Sequence, residues 1–313
     1  MKFLEIIPQA AAVLTEGAVI ERLRRDPAVR LDPLILNSSL LFDAHDRALM
    51  ETIYREYVDI GARYDLPLVL CTPTWRANPE RIRLSSTLSC EEVNREAAGF
   101  LREIRGSRGS YATRVFIAGL LGCRGDAYAP RESLSATEAR EFHGPQARFL
   151  AAAGADFLLA ATLPSAPEAL GMAQAMSGRG LPYVVSFVLR PNGSLLDGTA
   201  LHEAIRAIDR AADPPPCCYW ANCTYPAVFA SALDVLRRRD PAALARVLGL
   251  QANSSPLPPE RLDGSPHLLG RDPEELADQM AGVLREYGTK VLGGCCGTDG
   301  RHVEAIARRI GRS

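Results

Sequence analysis

Apolar runs of strand length alternate with longer amphipathic stretches along the whole chain, and this alternation constrains the fold more than any single motif. The runs fall at residues 11–16, 66–71, 114–120, 156–161, 183–189, 218–222, 247–251 and 290–294. Stretches with helical spacing lie at 46–64, 90–105, 136–153, 166–177, 201–211, 226–239, 272–287 and 299–312. In 136–153, Ala139, Phe142, Phe149 and Leu150 fall near one another on a 3.6-residue period, with Ser135 or Thr137 standing where an N-cap belongs. Strand–helix alternation implies parallel strands joined by right-handed crossovers. Eight such units fit a closed (β/α)8 TIM barrel better than an open sheet. An open doubly wound sheet would advertise a glycine-rich phosphate turn after its first strand. Here Thr15-Glu16-Gly17-Ala18 holds one glycine, and no G-x-x-x-x-G-K-[ST] segment exists. The expectation is an α/β protein built as one barrel domain over residues 1–313.

Composition narrows the partners. A formal net charge of −1 gives no electrostatic reason to expect nucleic acid or an anionic membrane. The basic runs at 22–25 and 237–239 have acidic neighbours (Glu21, Asp26, Asp234, Asp240) and read as solvated helix faces. No stretch approaches the roughly 18 consecutive apolar residues of a membrane span. The first residues reach an acid and a proline, Glu5 and Pro8, before any long apolar core, which is not a secretory signal. Eight cysteines are too few for a disulfide framework and suit a reducing compartment, so a cytoplasmic protein is expected. Nothing in the sequence speaks to oligomeric state.

The cysteines carry the chemistry. The last apolar run ends in Gly293-Gly294-Cys295-Cys296-Gly297-Thr298. Adjacent cysteines rarely bridge each other, because ordinary disulfide geometry is out of their reach. Flanking glycines let the backbone turn sharply there. Two thiols at such a bend read as two ligands of one soft metal ion, and Asn222-Cys223-Thr224 supplies a third at the end of another strand. The bland alternative is a set of buried core thiols. Chemistry in these barrels gathers at the carboxyl ends of the strands, so Cys223 and the pair would share one mouth. Zinc suits three thiolates with a fourth position open. Cu(I) and iron–sulfur clusters also accept thiolates, although a cluster usually takes four. Three thiolates leave zinc too electron-rich to activate water strongly. They leave it able to hold a substrate thiol as a nucleophilic thiolate. Alkyl transfer to sulfur follows more naturally than hydrolysis.

On these residues the chain resembles the homocysteine S-methyltransferase family, with betaine-, S-methylmethionine- and cobalamin-dependent members. Asn222-Cys223-Thr224 and the Gly293–Thr298 run are similar to its zinc motifs. Ser186-Phe187 and the segment 193–199 are similar to its fifth strand and following loop. Weaker echoes lie at Glu16-Gly17 with Glu21-Arg22-Leu23, and at Thr72-Pro73-Thr74-Trp75. The resemblance implies a (β/α)8 barrel, Zn2+ as cofactor on Cys223, Cys295 and Cys296, and a small-molecule thiol and a methyl donor as partners. It leaves Asn222 and Glu16 as candidate catalytic residues, Asn222 lining the site beside the open position. The family usually has aspartate where Glu16 stands, and a Glu-Thr pair at the end of strand four whose glutamate contacts the homocysteine amine. This chain reads Ala161-Thr162 there. Losing that carboxylate forfeits a charge-assisted bond worth ~1.5–3 kcal/mol. Either Glu16 or Glu168 compensates and homocysteine remains the acceptor, or the acceptor is another thiol, one without a free α-amine included. An alternative is a zinc-retaining barrel that binds a thiol metabolite with little turnover. The length has room for the barrel without the cobalamin and folate modules of the large methionine synthases. Donor identity is open, a separate corrinoid protein included.

Other residues look active and read as structural. Cys217-Cys218 begins its strand at the amino end, away from the mouth, while Cys71 ends strand two and faces it, either packing there or bordering the substrate. Cys90 and Cys123 have no partner pattern, and Asp43 beside His45 reads as a helix cap. The Ser-, Pro- and Asn-rich segment 252–266 reads as an active-site loop and candidate lid. Trp75 offers either packing or an aromatic face for an onium donor.

Overall fold

The computed structural model describes residues 2–257 and 270–311. Its strands are β1 (Val13–Thr15), β2 (Leu68–Cys71), β3 (Val115–Gly122), β4 (Phe157–Leu163), β5 (Tyr183–Phe187), β6 (Cys218–Thr224), β7 (Val247–Ala252) and β8 (Val291–Gly294). They pair in chain order, all parallel, and β8 closes on β1. All eight expected strands are present. β4 and β6 run past their expected ends to Leu163 and Thr224, each through a register shift that re-aims the last residues.

Helix α1 (Phe3–Gln9) precedes the barrel. Around it stand α2 (Ala44–Arg63), α3 (Cys90–Gly106), α4 (Ala136–Ala152), α5 (Ala166–Met176), α6 (Leu201–Ala211), α7 (Pro226–Arg239), α8 (Pro273–Tyr287) and α9 (Gly300–Ile310). Their ends fall close to the expected ones. Ser135, rather than Thr137, caps α4, in a reciprocal box with Glu138. Asp43 caps α2 through the amides of His45 and Asp46, which accounts for the acids beside that histidine.

Strand alternation divides the core in two. Val13, Val69, Phe116, Phe157, Val184, Trp220 and Val291 form one buried cluster inside the barrel. Their chain neighbours Leu14, Leu68, Leu70, Ile117, Leu158, Val185, Tyr219 and Leu292 face the helices. Burial on both faces is why the strands read as continuous apolar runs rather than as alternating ones. At the amino end of the barrel, Phe3 of α1 stacks on Phe157 at 3.8 Å between centroids and meets Phe116 and Trp220 edge-on. Lys290 fixes α1 there, donating to the carbonyls of Ile7, Pro8 and Ala10 at its carboxyl end. No helix among the described residues is long and apolar enough to cross a membrane.

Because Phe3 fills the closed end, Phe3→Ala should cost about 3–5 kcal/mol of stability. Metal retention by the three cysteines expected at the other end should be unchanged. Equilibrium denaturation with metal content measured in parallel checks this; a loss under about 1 kcal/mol would contradict the plugging role.

Candidate metal centre

Cys223, Cys295 and Cys296 bring their sulfur atoms within 4.8 Å of one another at the carboxyl end of the barrel. Cys223 and Cys296 are 3.5 Å apart, and Cys295 and Cys296 are 4.0 Å apart. None is in a disulfide. A tetrahedral ion with metal–sulfur bonds of ~2.3 Å has sulfur–sulfur edges of roughly 3.8 Å. The spacing therefore fits three thiolates around one soft cation.

Local backbone chemistry sets each sulfur. Cys223 lies in the register shift near the end of β6 with φ of 48°, a left-handed conformation unusual for a residue with a side chain. Its neighbour Asn222 holds that turn. The Asn222 amide oxygen accepts from the Thr162 amide (2.8 Å) and the Ser186 hydroxyl (2.7 Å), and its amide nitrogen donates to the Thr162 hydroxyl (2.6 Å). Thr162, itself at φ 63°, is thereby locked to β6. Asn222 lines the cavity, yet its side chain is engaged by β4 and β5, so the geometry makes it a positioning residue.

The vicinal pair follows β8 directly. Gly293 packs against Thr15 and Gly294 against Thr298 and Gly17, so neither position has space for a Cβ. The turn is tied down by Cys295 N–H to Ala252 (2.7 Å), Ser254 N–H to Cys296 (3.1 Å), Thr298 hydroxyl to Cys295 (2.7 Å) and Gly297 N–H to the Glu21 carboxylate (2.5 Å). Hydrogen bonds from Cys295 and Cys296, and one from the Tyr128 hydroxyl, pull the Cys223 thiol well below its usual range. Cys295 and Cys296 are pushed well up, chiefly by their bonds to the ionised Cys223. Three thiols this close share one negative charge until a cation allows all three to ionise.

A cavity of about 720 Å³ opens over the triad. Cys71, Glu16, Ala161, Leu120, Trp75, Tyr128 and Gln251 line it. Glu16 is 7% exposed, and its carboxylate accepts from the Cys71 amide at 2.8 Å. Burial pushes its pKa up to about 8 against the opposing pull of that bond. A buried carboxylate that no cation among the described residues pairs with is a ready partner for an ammonium group. Gln251 donates to the Cys71 sulfur at 3.8 Å, and Cys71 and Glu16 both face the cavity.

Glu168 does not share this cavity. It is fully buried in the first turn of α5 and bonded to His143, Arg124 and Leu134, so it is unable to stand in for a β4 carboxylate. Trp75 donates from its indole to the Ala161 carbonyl (3.3 Å), and the Arg76 guanidinium lies 4.1 Å over its ring. One Trp75 face is therefore already covered. Cys217 and Cys218 lie at the opposite end of the barrel, where Cys218 packs in the Phe3 cluster. Cys90 and Cys123 bond the carbonyls of Ala77 and Gly125 outside the triad. Of the expected lid at 252–266, Asn253, Ser254 and Ser255 line the cavity; residues 258–266 lie outside the described residues. Tyr128 and Gln251 were not marked by sequence reasoning, and Thr162 and Ser186 were named only within family-like segments, without a role. Their one signal was position, in or just past strands at the carboxyl end.

The homocysteine S-methyltransferase family model matches residues 13–310. The chain belongs to the homocysteine S-methyltransferase family. Methionine synthase of Mycobacterium tuberculosis is 25% identical over 281 residues, 84% of this chain, and the chain spans about a fifth (21%) of that protein's length. Escherichia coli homocysteine S-methyltransferase is 27% identical over 215 residues, 66% of this chain and 62% of that one. The E. coli homocysteine methyltransferase MmuM in its oxidised form superposes with a TM-score of 0.77 at 20% identity, over 97% of this chain and 98% of that chain. That likeness establishes the barrel fold, and MmuM has also been solved in a metallated form.

One metal ion per chain is expected on the triad. Single Cys→Ser changes at 223, 295 or 296 should each abolish stoichiometric retention, while Cys218→Ser should keep it. Metal analysis under reducing conditions decides; full retention in all three triad variants would contradict the site.

Proposed function

We propose that this chain is a zinc-dependent S-methyltransferase that moves a methyl group from an onium-type donor to the thiol of homocysteine. The convergence of three thiols beneath a cavity of two-substrate size carries this reading. Cys223, Cys295 and Cys296 would hold the ion, which supplies an open position at which a thiol ionises near neutral pH. The acceptor sulfur then forms the new bond to the methyl carbon while the donor heteroatom leaves with the bonding pair, losing its positive charge. The proton of the acceptor thiol goes to solvent.

The chain's own residues bind and orient. Glu16 offers its carboxylate to the acceptor's ammonium, and the Cys71 amide fixes where that carboxylate points. The free side of Trp75 and the Tyr128 ring give the donor cation aromatic surface. Ala161 places a methyl group beside Leu120 and Trp75, where the resemblance calls for a second carboxylate. The acceptor ammonium therefore has one anionic partner at this end of the cavity instead of two. Homocysteine should be held more weakly than in a site with both, and an amine-free thiol of the same length should compete well. That loss is also what favours the second reading, a thiol-binding barrel with little turnover; methylated product from zinc-loaded protein separates the two.

Glu16→Gln should lower kcat/KM for homocysteine by roughly 10- to 150-fold, the equivalent of ~1.5–3 kcal/mol, with little effect on an amine-free thiol. Ala161→Glu should raise kcat/KM for homocysteine and penalise the amine-free thiol, which would leave the new charge buried alone. Equal losses for both acceptors in Glu16→Gln would remove Glu16 from ammonium binding.

A further inference from the structure

We infer that His143 and Glu168, a buried pair outside the cavity, are positioning residues for the metal centre, acting through the loop that carries Tyr128. This rests on the triad being a metal site. Both side chains are fully buried. One Glu168 oxygen accepts from the Arg124 amide (2.8 Å) and pairs with His143 Nε2 (3.0 Å); the other accepts from the Leu134 amide (3.4 Å). Arg124 and Leu134 are the two ends of the connection from β3 to α4. One carboxylate thus pins both ends of a single loop.

The arrangement is costly unless it is used. A carboxylate and an imidazole taken fully out of water must be repaid by their bonds. His143 Nδ1 has no partner among the described residues, so the imidazole makes its one hydrogen bond to Glu168. Neither group reaches the cavity. What they hold does: Tyr128, at the middle of the pinned loop, lines the cavity together with all three thiols. The same loop is gripped from β2's side by the Arg76 guanidinium, which donates to the carbonyl of Cys123 (3.1 Å) while covering Trp75. A phenol set over the ligand sulfurs is an outer contact of the metal site, and removing such contacts typically costs 10- to 100-fold in metal affinity or activity. Glu168→Gln keeps the size of the side chain but turns an amide N–H toward Arg124 or Leu134, which releases one end of the loop.

The test is a double-mutant cycle in the full chain. Glu168→Gln, Tyr128→Phe and the double variant are compared for zinc affinity by competition with a chromophoric chelator, for kcat/KM, and for thermal midpoint. Each single change should weaken zinc binding by roughly 10- to 100-fold. The double variant should match Tyr128→Phe within about twofold, because the pair has nothing left to position. Multiplicative losses in the double variant, or a lowered midpoint with unchanged zinc affinity, would show a purely structural role and overturn the inference. Should Glu168→Gln fail to fold, His143→Gln, which keeps the carboxylate, replaces it with the same non-additivity expected. A parent protein that binds no zinc would instead overturn the metal site itself, so the two failures are distinguishable.

Discussion

Bringing three sulfur atoms to one point from strands that are not neighbours is the constraint on which the rest of this site depends. β7 stands between β6 and β8, so the strand axes carrying the thiols are about 9.5 Å apart, two interstrand spacings. A regular strand end would not close that gap. β6 closes it by turning Cys223 into a left-handed conformation at a register shift, a posture that costs of order 1–2 kcal/mol. β8 closes it by ending in two glycines, which let the cysteine turn press against β1 and Thr298. Asn222 balances the first distortion with three bonds to Thr162 and Ser186, and Thr298, Glu21 and the β7 carbonyl of Ala252 tie down the second.

The electrostatics follow from that convergence. Three thiols and the Glu16 carboxylate share one mouth: in the metal-free protein the thiols compete for protons, Cys223 driven down and Cys295 and Cys296 up, while burial drives Glu16 up. Such a cavity favours cations. A metal ion, a substrate ammonium and an onium donor are three cationic groups that would relieve it, and the proposed reaction brings all three together. It also gives a physical reason for the methyl group to leave a positively charged donor, since transfer discharges that cation.

The barrel was legible because eight apolar runs, buried on both faces, have no other economical arrangement; their order and the outer helices matched with small shifts at the ends. The three cysteines were legible because strand ends in a barrel share a face. The departures lie where function bends the backbone. The extensions of β4 and β6 beyond Ala161 and Asn222 pass through register shifts that no periodicity announces. Helix α1 was missed because seven residues containing a proline give little periodic signal. Glu168 illustrates the limit most clearly. Its position just past strand four suggested the mouth, but its side chain turns into the seam between α4 and the β3 loop, a direction only the packed structure shows.

The central claim is that an acceptor thiol takes its place beside Cys223, Cys295 and Cys296 on one zinc ion. X-ray absorption at the zinc edge, recorded on the loaded protein before and after adding homocysteine, counts the sulfur neighbours directly. The account predicts three sulfurs at about 2.3 Å and one lighter neighbour without the thiol, and four sulfurs with it. An unchanged count of three at saturating homocysteine, or a resting shell with fewer than three sulfurs, would contradict it.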